Sequence, residues 1–330
     1  MEVPRDVGPK APEVLVPASV DFDIVNLSLD GRFLYWAHRG EKGLLEVPIG
    51  GGPPVTLVAG TEDPVTSLAA DATYLYFTTG HRVDTEASDM LLGRRSPRAG
   101  HFEGVVNRLK KEPGAKVEEI ASGRFRPEDV AVDATNVYWI NSKKDAILVR
   151  QPLGQVDSQA VVTHGNFLPG SFVVSGGFGY WIDLDAGPAV VRVSTNGGEP
   201  QKVATSTSTS GIGHPVRLAA DDAAVYLTDA GSVEGKGSVL RVAVAGGAAT
   251  LLADNLNAPR AVAVRGGWVY WLNKGTGAKN FLDGSLEKAP VTGGPKVTLA
   301  AGLAAPERLA VGDTRVAWTE VTGAIKDMAR

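Results

Sequence analysis

Seven short aromatic clusters recur along the chain, each preceded by a small apolar strand and a turn, and this recurrence narrows the possible folds more than any other feature. The clusters are Leu34-Tyr35-Trp36, Leu75-Tyr76-Phe77, Val137-Tyr138-Trp139, Gly179-Tyr180-Trp181, Val225-Tyr226-Leu227, Val269-Tyr270-Trp271 and Val316-Ala317-Trp318. Their tyrosines follow one another at intervals of 41, 62, 42, 46 and 44 residues, and Ala317 comes 47 residues after Tyr270. Self-similarity at this period is the signature of a β-propeller, in which each repeat is one four-stranded blade. The predicted fold is therefore all-β, a seven-bladed propeller of antiparallel blades. Because each unit buries its face only against its neighbours, one domain over residues 1–330 is expected in place of the two that length alone suggests. Blades are expected near residues 21–60, 61–123, 124–165, 166–209, 210–255, 256–302, and 303–330 together with 11–20.

Within a unit, a first strand such as Val130-Ala131-Val132-Asp133 or Leu218-Ala219-Ala220-Asp221 ends in a turn. Asp30-Gly31, Asp71-Ala72, Asp133-Ala134, Gly176-Gly177, Asp221-Asp222, Gly266-Gly267 and Gly312-Asp313 suit a tight hairpin with positive φ. The aromatic strand follows, then an alternating third strand such as Leu240-Arg241-Val242, then a fourth such as Val297-Thr298-Leu299. Seven first strands meet only six fourth strands. Glu13-Val14-Leu15-Val16-Pro17 matches the missing one, and pairing with the C-terminal strand near Ala324–Lys326 would close the last blade and remove an exposed edge.

The chain carries 33 Lys plus Arg against 37 Asp plus Glu, so no basic field draws nucleic acid or anionic membrane. It has no cysteine, which excludes disulfides, thiolate zinc sites and a cysteine nucleophile. Met1–Lys10, with two acidic residues, two prolines and no apolar run, does not read as a signal peptide, and no stretch of 18 apolar residues is present.

Tyr226-Leu227-Thr228-Asp229 and Tyr138-Trp139-Ile140-Asn141, with Val132-Asp133-Ala134-Thr135-Asn136 before the latter, resemble the YWTD repeats of the low-density-lipoprotein-receptor propellers and the NHL-like repeats of secreted bacterial propellers. The resemblance covers residues 21–330 at blade level and departs from the YWTD family in count, six blades there against seven here. It implies a secreted or periplasmic setting. Such scaffolds serve protein-binding receptors, lactonases and lyases alike, so function must come from a site.

Strand order puts the inter-blade connections and the loops between second and third strands on one face, where all five histidines, His38, His81, His101, His164 and His214, fall. Imidazole titrates near neutrality and serves as base or metal ligand, which makes these the catalytic candidates. The polar stretch Gly80–Gly104 on that face reads as a lid, a partner-binding flap or a plain surface excursion. Arg126, Glu128, Arg217, Arg260, Glu307 and Arg308 sit at the starts of first strands and are expected to converge on the axis. They would hold a carboxylate or phosphate, or pair with one another. Asp183, Asp229 and Glu320 end aromatic strands. A divalent metal is one reading of them; the YWTD resemblance implies instead that Asp183 and Asp229 bind backbone of a neighbouring blade. No GxSxG, HExxH, GxGxxG or phosphate-loop motif is present. Two functions follow: binding of a small polar ligand or a protein at the channel mouth without catalysis, or a metal- or histidine-dependent hydrolase or lyase for a small polar substrate. No cofactor is specified.

Overall fold

Alternation along a strand sends the adjacent Tyr and Trp of each aromatic cluster to opposite faces of its sheet. That pair decides how successive sheets pack. Tyr76 of the second sheet shares a core with Trp139 of the third, Tyr138 of the third with Trp181 of the fourth, Tyr226 of the fifth with Trp271 of the sixth, and Tyr270 of the sixth with Trp318 of the seventh. Each tyrosine thus faces the following sheet and each tryptophan the preceding one. All these rings are at most 1% exposed, and a buried aromatic of this size removes roughly 150–250 Å² from water.

A computed structural model describes residues 11–18, 24–38, 43–61, 63–83, 101–112, 114–124, 127–141, 148–165, 169–185, 187–205 and 212–330. The N-terminal strand β1 (Glu13–Val16) precedes the first sheet, β2 (Ile24–Leu29), β3 (Phe33–His38), β4 (Leu44–Pro48) and β5 (Val55–Val58). The second sheet is β6 (Val65–Ala70), β7 (Tyr74–Val83), β8 (His101–Lys110) and β9 (Val117–Arg124); the third is β10 (Pro127–Val132), β11 (Asn136–Asn141), β12 (Leu148–Pro152) and β13 (Ala160–Thr163). The fourth contains β14 (Pro169–Ser175), β15 (Phe178–Asp183), β16 (Ala189–Ser194) and β17 (Gln201–Thr205); the fifth contains β18 (Pro215–Ala220), β19 (Ala224–Asp229), β20 (Gly237–Ala243) and β21 (Thr250–Leu256). The sixth is β22 (Pro259–Arg265), β23 (Trp268–Asn273), β24 (Gly284–Pro290) and β25 (Val297–Leu303), and the last strands are β26 (Leu309–Val311), β27 (Arg315–Thr319) and β28 (Ile325–Ala329).

These strands form a seven-bladed β-propeller of four-stranded antiparallel sheets. The seventh sheet runs β1-β28-β27-β26, with Glu13 opposite Asp327 and Val14 opposite Lys326, so the N-terminal strand completes the last blade as expected. Among the described residues no helix is long and apolar enough to cross a membrane.

The chain divides into two compact units. In the unit Met1–Tyr35, Glu46–Pro54 and Ser206–Arg330, the first strands β18, β22, β26 and β2 stand side by side in that order. In the unit Trp36–Leu45 and Val55–Thr205, β6, β10 and β14 do the same.

Two local devices hold neighbouring sheets. The first is a close approach of glycine to proline. A Cβ on Gly104, Gly237 or Gly284, at or near the start of a third strand, would stand 2.4, 2.3 or 2.5 Å from the Cδ of Pro127, Pro259 or Pro306 at the start of the next blade. Only glycine admits the proline there. The second is a hydrogen-bonded bridge between first strands: Ser67 Oγ donates to Asp129 Oδ1 at 2.6 Å, and Asp129 Oδ2 accepts the Phe172 N–H at 3.2 Å.

The hairpins between first and second strands differ from expectation. Positive φ occurs at both residues of Gly176–Gly177 (57° and 77°) and Gly266–Gly267 (58° and 78°), the type I′ condition. The tips after Asp71, Asp133 and Asp221 have none. There the aspartate carboxylate makes the turn by accepting two backbone N–H groups, as Asp133 Oδ1 does from Thr135 (2.7 Å) and Asn136 (2.8 Å). Its other oxygen accepts the Tyr138 hydroxyl at 2.8 Å. The same latch joins Asp30 to Tyr35, Asp71 to Tyr76 and Asp221 to Tyr226, always five residues apart.

Candidate functional site

Antiparallel order within each blade puts the start of its first strand, the end of its second, the start of its third and the end of its fourth along one edge. The sequence candidates fall on that edge of their own blades. His38 ends β3 and is buried; His164 lies just past β13, exposed; exposed His214 directly precedes β18. His81 and His101 lie on β7 and β8, with His81 opposite Glu103 and Val83 opposite His101. The expected long loop is therefore shorter at both ends, because β7 and β8 continue their ladder to Val83–His101. Residues 84–100 and Arg126 lie outside the described residues, as do the side chains of His81 and His101.

Three arginines occupy three consecutive first strands of the first unit. Arg217 on β18 is exposed, and its Nη1 donates to the Val216 carbonyl at 3.1 Å. Arg308, just before β26, donates from Nε to the Ile24 carbonyl at 3.3 Å and so ties the seventh blade to the first. Arg260 on β22 differs from both: its backbone carbonyl accepts the Thr228 hydroxyl at 3.0 Å, while its side-chain Nε is buried with no acceptor among the described residues. A buried guanidinium donor without a partner costs free energy until an acceptor arrives. Glu307 is exposed, and among the described residues it forms no ion pair with Arg217 or Arg260. Glu128, half-buried on β10, belongs to the other unit.

The loop after β23 supports this edge. Thr276 donates its N–H and hydroxyl to Asp283 at 2.7 and 2.8 Å, and the backbone bond leads the contacts that hold the Asp283 carboxyl below its usual range. The Gly277 N–H reaches Glu234 of the fifth blade at 3.2 Å, and the Ala305 N–H reaches the Phe281 carbonyl at 2.7 Å. Loops of three blades are thereby cross-braced, which keeps the strand starts in place.

The three strand-end carboxylates have occupants already. Asp229, 2% exposed, accepts backbone N–H groups from Gly213 (2.6 Å), His214 (2.8 Å) and Gly231 (2.9 Å). All three belong to its own blade, whereas the resemblance implied backbone of a neighbouring blade. Asp183 accepts the Asp185 N–H at 3.1 Å, and Glu320 pairs with Lys326 at 2.9 Å. Among the described residues no group of three His, Asp or Glu side chains is spaced to hold a metal ion.

A second concavity was not anticipated. In the other unit a cleft of about 190 Å³ is lined by Val58, Thr61, Asp63, Phe77, Asn107 and Glu119 among others, and the Thr61 hydroxyl is buried there without a hydrogen-bond partner. Its residues lie on β5, β7, β8 and β9 and the 59–63 connection, positions whose proximity follows from blade stacking rather than from any motif.

No protein-family model matches the chain, and no curated protein matches it in sequence. Among solved structures, the chain is similar to a virginiamycin B lyase from Staphylococcus aureus with a TM-score of 0.66 at 12% identity, over 97% of this chain and 98% of that one. A streptogramin B lyase structure gives 0.65 at 11% identity, over 96% and 97%. A chain of a nidogen/laminin complex gives 0.53 at 17% identity, over 79% and 90%. At these identities what the chain shares with all three is the β-propeller fold, a scaffold that occurs in both enzymes and binding proteins.

Proposed function

We propose that the protein is a binding module that holds an anionic ligand, or an acidic segment of a partner protein, at the strand-start edge of β18, β22 and β26. The observation that carries this reading is the Arg260 guanidinium, whose buried Nε, between Arg217 and Arg308, has no acceptor among the described residues. A carboxylate or phosphate oxygen satisfies such a donor with a charge-assisted bond, and arginine presents the matching fork. A propeller neighbour from a nidogen/laminin complex agrees with a partner-binding role. The test is binding of an immobilised acidic peptide and of inorganic phosphate, before and after the R217A/R260A double substitution. Retained affinity for both probes in the double variant, or no binding by the wild type, would overturn the reading.

A second reading, a hydrolase or lyase for a small polar substrate, draws on His214. Its exposed imidazole sits on a backbone fixed by Asp229, at the same strand start as Arg217. Two lyases among the structural neighbours agree with it. Turnover of a lactone or cyclic ester that disappears in His214→Ala while phosphate binding persists would favour catalysis over binding alone.

A further inference from the structure

The tyrosines of the aromatic strands form an internal standard for one corner in six of the seven blades. Four of them donate their hydroxyl to an aspartate five residues earlier. Opposite them on the third strand stands a cation in three of these blades, as Arg108 is opposite Tyr76, Arg150 opposite Tyr138 and Arg241 opposite Tyr226. The corner is thus built from a phenol, a carboxylate and a guanidinium.

The sixth blade keeps the phenol and the cation and lacks the carboxylate. Five residues before Tyr270 comes Arg265, which turns away and donates from Nε and Nη2 to Asp313 of the seventh blade at 3.0 and 2.8 Å. Tyr270 is 0% exposed, and its hydroxyl has no hydrogen-bond partner among the described residues. Lys288, opposite Tyr270 on β24, lies over the Trp268 ring at 4.7 Å and the Tyr270 ring at 5.6 Å from their centroids. Arg330 of the seventh blade brings Nη2 to 2.5 Å from the place a Cβ on Gly266 would take, with Nη1 donating to the Gly312 carbonyl at 3.3 Å. Among the described residues no carboxylate pairs with Lys288 or Arg330. Burial, and then the Arg330 charge, push the Lys288 ammonium below its ordinary pKa, the response of a cation that has no anion beside it. Gly266 and Gly267, which make the turn beside this corner, are exposed.

We propose that this corner, at the hairpin edge between the sixth and seventh blades, binds a small carboxylate anion from solution in the place that Asp133 fills in the third blade. One oxygen accepts the Tyr270 hydroxyl, and the other faces Lys288 and Arg330. The site lies at the opposite end of the strands from the Arg217–Arg260 edge and does not depend on it.

Acetate, the side-chain carboxylate of aspartate without its backbone, is the probe. The full chain is melted in sodium acetate and in sodium chloride at equal ionic strength, and methyl saturation transfer from aromatic protons is recorded for acetate. The wild type is expected to show a saturable acetate-dependent rise in Tm and a transfer signal. Lys288→Gln should weaken acetate binding by about tenfold. Arg265→Asp supplies the carboxylate within the chain, so it should melt higher in chloride and lose the acetate response. A wild type that responds equally to both salts, or an acetate response undiminished in either variant, overturns the proposal; should one variant fail to fold, the other decides.

Discussion

The third and sixth blades place the same ring in the same gap and finish the corner differently. In the third, Asp133 accepts Thr135 N–H, Thr135 hydroxyl, Asn136 N–H and Tyr138 hydroxyl within 2.9 Å, and opposing Arg150 reaches into the fourth blade through the Thr195 carbonyl and Asn196 Oδ1. In the sixth, two glycines make the turn by backbone conformation alone, and the phenol has no acceptor among the described residues. A hairpin can therefore be closed by a side chain that also serves the blade interface, or by glycines that serve the turn only. The second solution frees a polar corner for something else.

If the sixth blade is held by backbone shape rather than by polar latches, its weakest substitution is at the glycine–proline contact. Gly284→Ala would press a methyl group to 2.5 Å from Pro306 Cδ and 2.9 Å from the Asn273 carbonyl. Overpacking against a backbone that cannot yield is expected to cost about 3 kcal/mol, read by urea denaturation. An alanine variant as stable as the wild type would show that the two blades are not locked in this way.

Asp133→Ala attacks the third blade at its own fastening and should cost about 2–3 kcal/mol, because it removes a charged acceptor and leaves the Tyr138 hydroxyl unpaired. Burial raises the Asp133 pKa, but the Thr135, Tyr138 and Asn136 hydrogen bonds outweigh it and hold the carboxyl below its usual range. Its folded value is depressed, so its contribution is present above the unfolded carboxylate pKa of about 3.9 and fades as pH falls below it. The stability gap between wild type and Asp133→Ala should narrow over that interval; a constant gap down to pH 2 would refute the latch.

The alkaline side offers the matching check in the fifth blade. Burial, followed by the hydrogen bond to Asp221, pushes Tyr226 up to about 12. A raised folded pKa gives stability that is complete below the unfolded tyrosine value of about 10 and is lost as pH climbs from there through 12. Absorbance titration at 295 nm of wild type against Tyr226→Phe should show one phenolate missing from the late part of the curve.

Much of the fold could be read from residues because period and alternation are local. The Tyr-Trp pairs mark second strands, and both Glu13–Val16 as a fourth strand and its pairing near Ala324–Lys326 are legible in the sequence, matching the observed partner Ile325–Asp327. The corners were less legible. Matching turn to turn sets Asp133-Ala134 beside Gly266-Gly267, whereas the ladder sets Asp133 beside Arg265, one residue earlier, as the five-residue spacing to tyrosine would have revealed. Gly284 carries no local signal, since its proline partner arrives 22 residues later across a blade boundary. The Arg217–Arg260–Arg308 row was visible as charge at strand starts. That the Arg308 Nε ends on a carbonyl while the Arg260 Nε finds no acceptor among the described residues depends on side-chain reach, which no spacing encodes.

The smallest effect separates the two blades most cleanly. Tyr138→Phe deletes a hydroxyl that Asp133 accepts, and should cost about 1 kcal/mol, the net worth of one hydrogen bond. Tyr270→Phe deletes a hydroxyl that has no partner among the described residues, so in chloride it should be neutral or slightly stabilising, since an unsatisfied buried donor disappears and the ring stays. In saturating acetate the second substitution should acquire a cost near that of the first, because the bound anion supplies the acceptor that aspartate supplies in the third blade. Equal costs for both substitutions in chloride would mean that Tyr270 has an internal acceptor after all, and the distinction between latched and open corners would fail.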